Sequence, residues 1–122
     1  MIESADAAHT TLFDYAVANR EMVVGPRATT ACFPLPVVNI GQTCQYRHAK
    51  CAPRDSSYFA EAACDLVEFT LGDAQTTKWG ALRAKMGHPA PFKLHFLQLG
   101  NEQWGPEYVA RAKVVSAALR AR

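Results

Sequence analysis

One run of the chain brings together the residue types that acid–base chemistry on a hydroxyl-rich substrate needs: Gly100-Asn101-Glu102-Gln103-Trp104-Gly105-Pro106-Glu107-Tyr108. Glu102 supplies a carboxylate, which can act as a general acid when apolar neighbours raise its pKa. Asn101 carries an acceptor and donors for a substrate hydroxyl. Trp104, two residues on, can form an apolar wall or stack against a sugar ring. The Gly-Asn-Glu triplet by itself reads more readily as a turn, with Glu102 or Glu107 near a helix N-terminus where the dipole favours negative charge. The longer run shifts that balance.

The other reactive side chains read as structural. Cys32, Cys44, Cys51 and Cys64 form no C-x-x-C pair. Cys44 and Cys51 flank His48 at a spacing wider than common metal sites use. Free thiols in a reducing compartment are expected, with no metal and no cofactor. His88, between Gly87 and Pro89, suits a loop role better than a catalytic one. His95 alternates with Leu94 and Phe96, as a satisfied core or sheet-surface histidine would. Trp79 is expected to pack a long loop. Lys78 and Arg83 are placed on a solvated surface, with a carboxylate pair to Arg83 as the alternative. Asp65 and Glu68 are expected to face solvent. Cys44 either lines a pocket or is an inert buried thiol.

The elements that must position these residues follow from hydropathy and breakers. Residues 8–22 carry a loose helical pattern, and residues 23–34 read as a loop with Gly25, Pro26 and Pro34. Residues 35–40 form a mostly apolar run that suits a strand buried on both faces, with Pro36 near its start. Asp55 or Ser56 can cap a helix whose apolar face is Tyr58, Phe59, Ala62, Leu66, Val67 and Phe69, ending near Gly72. The connection 73–93 is long enough to need structure of its own, with a short helix over 77–86. Residues 94–99 form a second strand candidate. Pro106 then opens a helix carrying Tyr108, Val109, Ala112, Val115, Ala118 and Leu119 on one stripe. Strand, helix, strand, helix predicts an α/β fold with parallel strands. It sets Asn101 and Glu102 just past the C-terminal end of a strand, where such folds gather catalytic groups.

Three segments together resemble the α-L-arabinofuranosidases of glycoside hydrolase family 51. They are Leu35-Pro36-Val37-Val38-Asn39-Ile40-Gly41 with Cys44-Gln45; Asp65-Leu66-Val67-Glu68-Phe69 with Gly72-Asp73, residues 76–84 and residues 87–92; and residues 99–108 with Arg111. The resemblance covers residues 35–120 in order and spacing. It implies a (β/α)8 TIM barrel, of which this chain carries about two units, the third and fourth. It also implies a retaining mechanism in which Glu102 is the general acid/base and Asn101 contacts the sugar 2-hydroxyl. Terminal arabinofuranosyl groups of arabinan, arabinoxylan and their oligosaccharides are the implied substrates. A parent enzyme that is a homo-oligomer is expected.

Residues 1–34 match the family poorly, and Leu71 stands where the family usually has Asn. The division is therefore a poorly matched segment 1–34 and a partial catalytic barrel domain 35–122. Retaining glycosidases need a second carboxylate about 5 Å from the acid. The family takes it from a later strand, so this chain is expected to be inactive alone, as a fragment or a broken reading frame would be. The alternative is a non-catalytic carbohydrate-binding or interaction module on the same β/α scaffold, which would cover its sheet edges by self-association.

Composition sets the remaining bounds. A hydrophobic fraction of 49% and a charged fraction of 20% are those of a folded domain rather than a disordered one. A net charge of +2 argues against a nucleic-acid partner. The basic cluster Arg111, Lys113, Arg120 and Arg122 reads as a solvated helix face. The acidic start Met1-Ile2-Glu3-Ser4-Ala5-Asp6 is unlike a signal peptide, and no apolar run reaches membrane-spanning length. No membrane partner is expected, and a cytoplasmic location is favoured.

Overall fold

A computed structural model describes residues 35–48, 50–52 and 54–122. The helix expected over 8–22, the loop over 23–34 and Cys32 lie outside the described residues. In chain order the elements are β1 (Val37–Val38), a 3-10 turn (Gln45–Arg47), α1 (Ser56–Leu71), α2 (Lys78–Lys85), β2 (Gln98–Leu99) and α3 (Pro106–Arg120). The two strands pair in parallel, Val37 with Gln98 and Val38 with Leu99. The expected α/β order with parallel strands is therefore observed.

Both strands are shorter than their apolar runs suggest. His95 lies outside β2 and is exposed. Val37 is 50% exposed, so β1 is not buried on both faces. The physical reason is alternation: Val38 packs against the core formed with α1 and α3, so Val37 turns to the opposite face, which that core does not cover. Pro36 immediately precedes β1, where its missing N–H costs no ladder bond.

The chain forms two compact units. One holds Val37–Asp65 and Leu97–Arg122. Its core is Ile40, Ala60, Ala63 and Val115, flanked by Val38, Leu99, Tyr108, Ala112, Ala118 and Leu119. The α3 stripe is thus as expected except for Val109, which is 48% exposed. On α1 the expected face holds at Leu66 (3% exposed) and Phe69 (1% exposed), with Phe59 and Val67 half-buried, but it differs in the first turns. Ala60, Ala63 and Cys64 are buried, while Tyr58 and Ala62 are exposed. Small residues at i, i+3 and i+4 let a helix approach its neighbours closely, a preference that hydrophobicity ranking understates.

The other unit includes Leu66–Phe96. Phe69 and Trp79 form its core with Leu82, Met86 and Phe92, so Trp79 packs the connection as expected. Arg83 departs from expectation. It is fully buried rather than solvated, and its guanidinium donates to Phe69 O (2.7 Å), Gly72 O (2.8 Å), Pro89 O (3.0 Å) and His88 O (3.1 Å). A helix leaves its last carbonyls without intrahelical donors. Arg83 supplies them for the end of α1 and ties that end to the segment after α2. Glu68 is likewise not a plain solvent charge, because its Oε1 accepts the Trp79 N–H at 3.0 Å. That bond satisfies a free donor in the first turn of α2. Thr77 caps α2, its hydroxyl accepting from Gly80 N at 3.2 Å. A Cβ on Gly80 would lie 2.7 Å from Gly72 O and 2.5 Å from Thr77 Oγ1, so glycine is required inside this helix. His88 takes the loop role, bonding Ala90 O through Nδ1 at 2.6 Å and stacking on Phe92.

Candidate active site

Residues 100–105 leave the C-terminal end of β2 beside residues 39–45, which leave the end of β1. Parallel pairing puts both connections at one edge of the sheet. The Gly100 N–H donates to Val38 O at 2.7 Å, continuing the ladder one residue past β2. Gly100 has φ 73°, and a Cβ there would collide with the Gln103 side chain, so both the turn and the packing demand glycine.

Glu102 follows with φ 52°, in the left-handed region that side chains rarely adopt. Such strain persists only where surrounding bonds over-determine it. Those bonds are present. Gln45 N–H donates to Glu102 O at 2.8 Å, and Gln42 Nε2 donates to Trp104 O at 3.3 Å. Gln103 Nε2 donates to Gln42 O and reaches Asn39 Oδ1 at 3.5 Å. Asn39 Oδ1 also accepts the Gly41 N–H at 2.7 Å. Gln42 is 4% exposed, so the centre of this clamp is buried, while Asn39, Gln45, Asn101 and Glu102 are exposed. Trp104 is 65% exposed.

The facing connection is itself braced. Gln42 and Cys51 form an antiparallel bridge, with Thr43 N donating to Lys50 O (2.8 Å) and Ala52 N to Gly41 O (2.7 Å). Arg111, from α3, donates to Ala52 O at 3.1 Å and to Ile40 O at 3.4 Å. It is therefore part of the scaffold under the site rather than of a solvated basic face, because the loop carbonyls around it need donors. Tyr108 Oη donates to Leu99 O at 3.0 Å from the same helix.

The structure thus gathers Asn101, Glu102 and Trp104 at the predicted strand edge. His88 belongs to the other unit, and so does His95. Cys44 is half-buried, Cys51 exposed and Cys64 buried, all three free thiols. Among the described residues no three His, Cys, Asp or Glu side chains gather as a metal site. No helix among them is long and apolar enough to cross a membrane. Sequence reasoning missed Gln42, Gln103 and Arg111 as positioning groups. A glutamine pair 61 residues apart leaves no local pattern, since its meaning lies in the parallel register.

The profile of the Alpha-L-arabinofuranosidase 1 domain matches residues 28–122. The chain belongs to that α-L-arabinofuranosidase family. It is 52% identical over 58 residues to an extracellular exo-α-L-arabinofuranosidase of Streptomyces chartreusis, a stretch that covers 47% of this chain and 7% of that protein. It is 48% identical over 50 residues to α-L-arabinofuranosidase 1 of Arabidopsis thaliana, covering 41% of this chain and 7% of that protein. An arabinose-bound MgGH51 α-L-arabinofuranosidase superposes with a TM-score of 0.57 at 28% identity, over 72% of this chain and 14% of that structure. The chain is therefore related to glycosidases of family 51, and its matches span less than a tenth of the length of these two curated arabinofuranosidases.

Proposed function

We propose that the chain carries the acid/base half of a retaining α-L-arabinofuranosidase site, on what would be the third and fourth β/α units of a (β/α)8 barrel. The observation that carries this reading is Glu102, held in a strained left-handed backbone just past a parallel strand by bonds from the facing connection. Its carboxyl group would protonate the leaving glycosidic oxygen and then take a proton from the attacking water. Asn101 would bond the 2-hydroxyl of the terminal arabinofuranosyl group, and Trp104 would offer its indole face to the sugar. Substrates would be arabinose-containing oligosaccharides or polysaccharides.

A retaining reaction also needs a nucleophilic carboxylate about 5 Å from the acid. In the family reading it comes from a later strand, so the 122-residue chain is expected not to turn over. Steady hydrolysis of a chromogenic arabinofuranoside by the purified chain, lost on Glu102→Gln, would overturn that expectation.

The role of Glu102 is tested in a chimera in which residues 35–122 replace the matching segment of a full-length relative. Glu102→Gln should lower kcat/KM about 10²–10⁴-fold on substrates with poor leaving groups. It should spare dinitrophenyl arabinofuranoside, whose leaving group departs without a proton. Equal losses on both substrates would refute the acid/base assignment.

A further inference from the structure

Two helices of one compact unit carry opposite charges on the flanks that they turn away from each other. On α3 an open groove is lined by Tyr108, Val109, Ala112, Lys113, Ser116 and Arg120. Val109, Lys113 and Arg120 are exposed, and both charges are positive. Arg111 marks the other flank of the helix, because it bonds Ile40 O and Ala52 O on the connection from β1. At about 100° per residue, positions 109, 113, 116 and 120 lie well round α3 from it. On α1 the corresponding flank holds Tyr58 and Glu61, both exposed, and the half-buried Asp65. Its two charges are negative and one turn apart. Phe59 marks the covered flank of α1, since a Cβ on Gly41 would lie 2.5 Å from both the Phe59 ring and Arg111 Nη1. Arg54 stacks on the Tyr58 ring at 4.4 Å, at the N-terminal end of the acidic flank.

We propose that the α3 groove of one copy receives the α1 flank of Tyr58, Glu61 and Asp65 from a second copy, so that the chain assembles head to tail. The inference does not depend on the role of Glu102. Spacing supports it. With the two helices parallel and their first turns level, Tyr58 falls opposite Val109. Lys113 then falls midway between Glu61 and Asp65, about 3 Å along the axis from each. Arg120 lies about 7.5 Å beyond Asp65, within reach of a long side chain. Arg54 stays level with the uncharged start of the groove, more than a turn from Lys113. The same placement sets β1 of the second copy beside the outer edge of β2, and among the described residues neither edge has a ladder partner. A symmetric contact of α3 on α3 would instead oppose cations. Exposed ion pairs contribute little each, so the contact is weak and sensitive to salt.

Sedimentation velocity of the full 122-residue chain reads the assembly. Raising NaCl from about 0.05 M to about 0.5 M should weaken association about tenfold. Lys113→Glu combined with Arg120→Glu should give a monomer with the parent's helical content. Glu61→Lys combined with Asp65→Lys should do the same. Mixed one to one, the two variants should associate as the parent does, because the reversed flanks fit each other and so do the unaltered ones. A parent chain that is monomeric at its highest soluble concentration refutes the contact. So does either variant associating like the parent, or a mixture of two folded variants that stays monomeric. If a variant loses helical content, the salt series on the parent decides, and association that holds or strengthens with salt refutes the pairing of charged flanks.

Discussion

Glu102 holds a backbone conformation that costs a residue with a Cβ about 1–2 kcal/mol. Nothing in the turn chemistry requires a glutamate there, since glycine would adopt φ 52° without penalty. Glu102→Gly should therefore stabilise the chain by about 0.5–1 kcal/mol, the relief of strain less the added freedom of the unfolded chain. Urea denaturation with an unchanged slope would read this, and a destabilised variant would refute the strain argument. The gain would come with loss of the carboxylate, which is the trade-off expected under the proposed acid/base role. The place of Glu102 just past a parallel strand was legible in the sequence, because an apolar run ending at Gly100 has a local cause. Arg83, Arg111 and Glu68 were not, because each is defined by backbone groups brought to it by folding. A buried arginine bonded to four carbonyls and a solvated one have the same local sequence.

At the scale of elements, α1 and α2 are joined both by the Phe69–Trp79 core and by polar bonds. The α1 end was legible from Gly72 and the α2 start from the Thr77 region, since caps and stops have local causes. The joint between them was not. Arg83→Lys tests it. An ammonium has three donors and no planar fork, so it cannot serve Phe69, Gly72, His88 and Pro89 together. A loss of about 3 kcal/mol is expected from denaturant midpoints, and a loss below about 1 kcal/mol would show the carbonyls to be hydrated instead. Asp73 gives the joint a pH dependence. Its Oδ1 accepts from Gln75 N (2.9 Å), Thr76 Oγ1 (3.0 Å) and Thr76 N (2.9 Å). These bonds, the one from Gln75 foremost, hold its carboxyl below the usual aspartate range, with a smaller contribution from the Arg83 charge. A depressed folded-state pKa stabilises above the unfolded value, and the contribution disappears as pH falls through the folded one. Stability should therefore decline on acidification below about pH 4. Asp73→Asn should flatten that decline in thermal melts recorded across the acid range. An identical pH profile in both proteins would show that the loop geometry, not the charge, matters.

The whole molecule is where sequence reasoning and structure meet the same difficulty. Parallel strands are ordinarily covered on both faces and flanked on both sides. Here β1 and β2 pair over two residues each, and no third strand joins them among the described residues. A two-stranded sheet by itself is marginal in water. The helices compensate on one side, through Ile40, Ala60, Ala63 and Val115. Val37 remains half exposed on β1. The strand, helix, strand, helix order carries the expectation of a parallel sheet that its own elements do not fully cover, and the described residues show a sheet of two strands. Its consequence is a ladder edge able to pair with another chain. The full chain should therefore associate in a concentration-dependent way in sedimentation velocity. Val37→Lys places a charge on β1 without removing any ladder donor or acceptor, and a charged edge resists pairing. It should shift the distribution toward monomer while leaving helical content unchanged. If the parent chain is already monomeric at its highest soluble concentration, the edge is covered in solution. If it associates and Val37→Lys associates equally, the contact runs through another surface, for which the exposed Val109 and Val114 on α3 are the next positions to charge.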